Sequence, residues 1–231
     1  MNKMQPQPLL SYAPRFYPNA PIRGGGGKPY LGISMGSVRL YGFEHIAPAL
    51  RWTMTYYDQF GILIGDHIDR LNFVIFDGET EERAIIQSTI ESDLLTNKIN
   101  SFLNDHGCRG ADLMRVRDFV EFDNFHKEVD RLTKLLRNHE LFRAMTLEII
   151  KSYLVRRKQT TIPNDQALML CERYLVEEWA VFEILAGQGY LTQIYAGKHL
   201  SVLKEIVLGN LPNVSPMLER LTLVELRSQR K

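Results

Sequence analysis

Three points along the chain carry residues able to act on an activated ester. The first is Gly32-Ile33-Ser34-Met35-Gly36-Ser37. A serine on a tight turn from strand to helix exposes its hydroxyl as a nucleophile, and flanking glycines let a substrate approach the backbone. The second is Tyr174 and Glu178, four residues apart and so on one face of a helix. A phenol beside a carboxylate can hold a cationic amino group, and the carboxylate can take a proton from it. The third is Tyr195, at the end of an apolar run. Taken singly, these are a glycine turn, a solvated helix face and a packed aromatic.

The elements that must position them follow from periodicity. Tyr30 to Ser34 reads as a short buried strand, with helical character from about Phe43 to Tyr57. Phe60 to Gly65 reads as a second apolar strand, of the kind a sheet covered on both faces requires. Glu79 to Asp105 is a long helical pattern carried by Ile85, Ile86, Ile90, Leu94, Ile99 and Leu103. Leu113 to Val120 reads as a strand, and Phe122 to Lys158 as two helices broken near Asn138. Pro163 opens a helix that runs to about Leu185. Tyr190 to Tyr195 is a strand, His199 to Leu208 a helix, and Leu221 to Leu226 a last strand. Strands alternating with helices predict an α/β sandwich around a mostly parallel sheet. Such sheets carry their sites at the carboxyl ends of strands, where Ser34 and Tyr195 would both fall.

Composition sets bounds. The chain has 231 residues and a formal net charge of +1, so any nucleic-acid contact must come from a local basic face. Residues 1–28, rich in Pro and Gly and including Gly24 to Gly27, predict an irregular arm, with a single catalytic domain over 29–231. Cys108 and Cys171 stand apart with no metal-ligand spacing, so no zinc site is expected. With no apolar segment behind Lys3 and no long apolar stretch, a cytoplasmic protein without membrane contact is expected.

Together, these residues resemble the cyclodipeptide synthase family over most of residues 29–208. The resemblance runs from the Gly-x-Ser-x-Gly turn through Asp66-His67-Ile68-Asp69 and Phe76-Asp77-Gly78. It continues with Glu82, the Tyr174-x-x-x-Glu178 helix motif and Tyr195. It implies a Rossmann-like three-layer fold, similar to the catalytic domains of class I aminoacyl-tRNA synthetases. It also implies a tRNA-dependent aminoacyltransferase that joins two aminoacyl groups into a diketopiperazine. No cofactor is implied, the partners are two aminoacyl-tRNAs, and a monomer is expected. Ser34 would accept the first aminoacyl group, Tyr174 and Glu178 would hold its amino group, and Tyr195 would position the acyl-enzyme. Tyr30, Gly32, Val181 and Gln193 fall where the family lines its first aminoacyl pocket. Ser37 stands at a position that divides the family and is most often asparagine, and Ala196 after Tyr195 is a second departure.

Some expectations concern this chain's own residues. Burial near Trp179 would raise the Glu178 pKa. Gln193 and Tyr30 would let the first pocket take more than a simple aliphatic side chain. The helix that follows the second strand is acidic here, with Glu79, Glu81, Glu82, Glu91 and Asp93. A tRNA contact is therefore sought at Arg156-Arg157-Lys158, with Lys151, Arg131, Lys134, Arg137 and Arg143 upstream. Two alternatives stay open. One is an α/β-hydrolase using Ser34, Asp165 and His199, although only a leader precedes Ser34. The other is an α/β module that holds tRNA or a nucleotide without chemistry.

Overall fold

The computed structural model describes residues 11–17, 27–157, 160–211 and 213–229. The first element is a strand, β1 (Ser11–Tyr17). This corrects the irregular arm expected over residues 1–28: at least this part of it pairs into the sheet. The chain continues through β2 (Lys28–Ile33), α1 (Met35–Tyr41), α2 (Ala47–Tyr56), β3 (Phe60–Ile64) and α3 (Asp66–Asn72). A π-turn follows over Phe73–Asp77, then α4 (Glu81–Asp105), β4 (Ala111–Arg115) and α5 (Val116–Val120). The remaining elements are α6 (Asp123–Asn138), α7 (Glu140–Arg157), α8 (Asn164–Gly187), β5 (Tyr190–Tyr195), α9 (Ser201–Val207) and β6 (Thr222–Gln229).

Six strands form one sheet in the order β1-β6-β5-β2-β3-β4. All neighbours are parallel except the β1–β6 pair at one edge. β1 contains Pro14, opposite Leu226. Proline cannot donate to a ladder, so an edge strand is where it is tolerated. Two apolar cores cover the two faces. Leu31, Ile33, Phe60, Ile62 and Ile64 face the side of α2 and α4, whereas Tyr30 and Leu63 face the side of α6 and α8. This alternation along the strands is the period-2 signature of a sheet buried on both sides. The architecture is thus the expected α/β sandwich with a mostly parallel sheet.

The topology fixes where a ligand can sit. From β2 the chain builds outward to β3 and β4, then returns to lay β5 and β6 on the other side of β2. The connections diverge between β2 and β5, and their carboxyl ends open a crevice there. Ser34 follows β2 and Tyr195 ends β5, so the two residues flank this switch point.

Two further elements differ from the sequence expectation. Val116–Val120 is helical rather than part of a strand. The backbone N–H of Arg117 donates to Asp66 Oδ1 at 3.1 Å, and Arg115 Nε donates to Asp66 Oδ2 at 2.9 Å. Asp66 therefore captures the chain as it leaves β4. In α4, the helix is present but its first half buries Ala84, Ser88 and Ser92, while Ile86, Ile90 and Leu94 are exposed. Small side chains let α4 close on α3, and Ser92 accepts from the buried Arg115 guanidinium.

Candidate active site

The crevice widens into a cavity of about 680 Å³ between the carboxyl ends of β2 and β5 and the flank of α8. Ser34, Ser37, Tyr174, Glu178 and Tyr195 all open on it, as do Gly32, Val181 and Gln193. The structure thus brings together residues that are separated by up to 163 positions in the chain.

Ser34 is the N-cap of α1, with extended backbone angles (φ −79°, ψ 123°), yet its hydroxyl makes no capping bond. A serine here would normally satisfy a helix N–H. Instead the Ser34 and Ser37 hydroxyls lie toward the Tyr195 phenol, close enough that both act to lower its pKa. Burial raises the Tyr195 pKa, the two serines pull it back, and the charge of Glu178 adds to the rise. Tyr195 is therefore a neutral phenol at physiological pH, held against Ser34. Gly36 completes the turn: a β-carbon there would come to 3.8 Å from Ser34 Oγ and 3.8 Å from Asp69 Oδ1. Its absence keeps the approach to the serine hydroxyl clear.

Glu178 and Tyr174 share one face of α8, one helical turn apart, and that face looks into the cavity. Burial raises the Glu178 pKa to about 7, as expected from its surroundings. Burial also raises that of Tyr174 well above its usual value, reinforced by the charges of Glu178 and Asp69. A carboxylate poised near neutrality beside a neutral phenol can bind an ammonium group or relieve it of a proton.

Gln193 Cα lies directly opposite Tyr30 Cα in the β2–β5 pair, and Gly32 lies opposite Tyr195. With no side chain at Gly32, the floor of the cavity is bare backbone between the Gln193 amide and the Tyr195 ring. Tyr30 does not reach the surface of the cavity. It is fully buried behind it, 6.3 Å from the rings of both Phe182 and Tyr190.

Sequence reasoning missed a polar chain on the opposite wall. The Tyr153 hydroxyl donates to Asn72 Oδ1 at 2.9 Å, and Asn72 Nδ2 donates to Asp69 Oδ1 at 2.8 Å. The Arg39 guanidinium pairs with Asp69 and also reaches Glu91. Burial pushes the Tyr153 pKa up to about 12, so it remains a donor at any working pH. Asn72 and Tyr153 both line the cavity, and Asn72 directly precedes the π-turn, a feature that often marks functional sites. The available signal was the spacing of Asp69 and Asn72, two polar residues three apart on a helix whose other positions are largely buried.

The hydrolase arrangement is not assembled. Asp165 is exposed in the first turn of α8, nine residues before Tyr174, or about 13 Å along the helix axis. The His199 ring lies on the Val224 carbonyl at 3.3 Å, and burial lowers its pKa to about 4. At neutral pH it has no Asp165 partner and is engaged with main chain. Of the basic residues, Arg156 and Arg157 stand at the cavity, with the Arg157 guanidinium 4.5 Å over the Phe76 ring. Lys158 lies outside the described residues. Arg131 is half-exposed and is taken up by ion pairs with Glu128 and Glu183. Among the described residues no cluster of metal-ligating side chains is present, and no helix is long and apolar enough to cross a membrane.

Comparison with known proteins gives this geometry a family. A family model described as cyclodipeptide synthase matches residues 23–183, more than half of the chain. No curated protein sequence matches. Among solved structures, a cyclodipeptide synthase from Fluoribacter dumoffii is 20% identical, with a TM-score of 0.79 over 96% of this chain and 100% of that one. One from Bacillus thermoamylovorans is 16% identical, with a TM-score of 0.71 over 90% and 92% of the two chains. A Mycobacterium tuberculosis protein, described as demonstrating that cyclodipeptide synthetases are related to type I tRNA synthetases, is 16% identical, with a TM-score of 0.67 over 90% and 88%. The structural likeness establishes the fold, and the match to the family model establishes the membership. The chain belongs to the cyclodipeptide synthase family, tRNA-dependent aminoacyltransferases related in fold to the class I aminoacyl-tRNA synthetases.

Proposed function

We propose that this enzyme forms a cyclic dipeptide from two aminoacyl-tRNAs by way of esters on Ser34. The reading rests on one observation: Ser34, Tyr174, Glu178 and Tyr195 open on the same cavity at the switch point of the sheet. In the first step, Ser34 Oγ bonds to the acyl carbon as the ester bond to the terminal ribose breaks. The serine proton passes to the departing ribose oxygen. An aminoacyl ester is already activated, so no nucleotide is needed to drive the exchange.

Tyr174 and Glu178 then hold the amino group of the aminoacyl-Ser34 ester. Glu178, with its pKa near 7, takes the proton that frees this amine. The amine attacks the ester of a second aminoacyl-tRNA, a peptide bond forms, and the second tRNA leaves. The dipeptide remains esterified to Ser34. Its own free amine attacks the Ser34 ester carbonyl, the ring closes, and the serine hydroxyl is restored. Covalent capture divides one reaction between two bulky substrates into separate, simpler steps. Tyr195 holds the Ser34 oxygen in place through this sequence. Gly32, Ser37, Val181 and Gln193 surround the first aminoacyl group, with Tyr30 behind them. Arg156 and Arg157 meet the phosphates of the tRNA acceptor end at the mouth.

The test is direct. Bacterial cells that express the wild-type chain should release diketopiperazines detectable by mass spectrometry in the medium. Ser34→Ala should abolish them, and wild-type protein that is folded yet yields none would refute the reading.

A further inference from the structure

The floor of the cavity carries a polar atom with nothing to bond. The Gln193 side chain is 3% exposed and lines the cavity, and its Oε1 has no hydrogen-bond partner among the described residues. A buried acceptor left in this state is costly, and native structures almost always satisfy it. The neighbouring strand repeats the pattern. Tyr30, opposite Gln193 in register, is fully buried, and its hydroxyl also lacks a partner among the described residues. The surrounding walls are apolar: Leu63, Val181 and Phe182. Gln193 Oε1 is therefore an orphaned acceptor on the lining of the cavity, and the Tyr30 hydroxyl is a second orphaned group in the buried layer behind it.

We infer that this part of the cavity selects an amino acid whose neutral side chain brings a hydrogen-bond donor, a tyrosine-type ring with a terminal hydroxyl. The inference rests on the reading of Ser34 as the ester-forming residue and names the first amino acid it accepts. The chemistry narrows the choice. An acidic side chain would bring a charge among the apolar walls, whereas the lining's cations, Arg156, Arg157 and Lys198, are not among those wall residues. A lysine or arginine side chain would need a counter-ion, and Glu178 is the one carboxylate on the lining among the described residues. That carboxylate is taken by the amino group. An aliphatic side chain or a phenyl ring fits the walls but leaves the Gln193 oxygen bare. A phenol fills the same space and donates to it.

Tyrosine and phenylalanine differ by this one hydroxyl, so they make the matched pair for a test. One tRNA body would be charged separately with each, and acylation of Ser34 followed by intact-protein mass spectrometry in a single turnover. Wild-type enzyme should load tyrosine faster by roughly tenfold or more, since a site built to bond a hydroxyl rejects the analogue lacking it. Gln193→Met, close in shape, should bring the two rates together by slowing tyrosine. Equal loading by the wild type, or a tyrosine preference that Gln193→Met leaves intact, would overturn the inference. Loading of leucine or phenylalanine in preference to tyrosine would overturn it as well, while leaving the covalent step standing. No adduct from any charged tRNA would overturn the covalent step, and the inference with it.

Discussion

Arg70 grips Glu177 with two parallel hydrogen bonds of 2.8 Å, and Glu177 is the residue immediately before Glu178. Both partners of this pair are buried. Adjacent carboxylates on α8 are thereby driven apart in acidity. For Glu177, burial favours the neutral acid, but Arg70 and Arg173 outweigh it and hold the pKa below its ordinary value. Glu178 faces the cavity with no cation paired to it among the described residues, and burial lifts it to about 7. One carboxylate is a fixed charge that anchors α8 to α3, and the other is left free to exchange a proton. Divergent titration of neighbouring acids is the usual mark of a division of roles.

Arg70→Met should therefore be severely destabilising, because it leaves Glu177 buried with Arg173 as its remaining partner. The expected loss is about 3–5 kcal/mol in urea unfolding at pH 7.5. Glu177 contributes stability above its unfolded pKa and loses it as pH falls through its lower folded pKa. The gap between variant and wild type should accordingly shrink below pH 4.5. Replacing both residues, as in Arg70→Met with Glu177→Leu, should recover much of the loss. A single variant as stable as the wild type would mean that the pair anchors nothing.

Glu178→Gln should trade activity for stability. The folded pKa of Glu178 lies above its unfolded value, so the folded state holds the proton more tightly. Stability from this group is fully present below about pH 4.5 and is lost as pH rises toward 7. The glutamine variant has no such dependence. It should be more stable than the wild type at pH 8, by up to about 3 kcal/mol, and indistinguishable from it near pH 4.5. Cyclic dipeptide formation should fall by roughly a hundredfold or more, the range expected for loss of a proton relay. Thermal melts at both pH values, read beside product yield, would check this; equal melting points at pH 8 would refute the buried ionisation.

The site was legible where its signals are local. The Gly-x-Ser-x-Gly turn lies within six residues, and Tyr174 and Glu178 need only the pitch of one helix to meet. Tyr195 was placed because an apolar strand ends on it. What could not be read involves partners set by the tertiary fold. β1 pairs with β6, more than 200 residues later, and no short-range pattern announces an edge strand containing Pro14. Val116–Val120 has the composition of a strand, but Asp66 takes the Arg117 N–H and turns the chain away. The isoleucines of α4 show the helical period while much of the buried face is made of Ala84, Ser88 and Ser92. The Tyr153–Asn72–Asp69 chain joins α7 to α3 by side chains 81 and 3 residues apart, and only the first of those separations hides it.

Tyr153→Phe tests whether that chain supports the chemistry. The substitution removes the donor to Asn72 Oδ1 and changes little else, since the ring packs 5.7 Å from Phe76. A buried acceptor left unpaired should cost about 1–3 kcal/mol in unfolding. Asn72 lines the cavity near Ser34, so its release should also slow acylation of Ser34, by about tenfold or less. A full stability loss with unchanged acylation would assign the chain to folding alone.

The tRNA contact is the most electrostatic part of the reading and has the most specific signature. Arg156 is exposed and Arg157 half-buried at the mouth, beside the exposed Lys198. The acidic helix α4 presents Glu82 and Asp93 rather than a row of cations, so the acceptor stem has little to gain there. Each phosphate neutralised by a cation releases counter-ions, and binding weakens linearly with the logarithm of salt concentration. Arg156→Gln with Arg157→Gln should raise the KM for aminoacyl-tRNA at low salt. It should also flatten the slope of log affinity against log salt by roughly 1.4–1.8, the amount lost with two phosphate contacts. Charge reversal at both positions should weaken binding further. Titration of a charged tRNA across a salt series, on wild type and variants, is the measurement. An unchanged slope would move the tRNA surface elsewhere, because only a residue that neutralises phosphate can alter it.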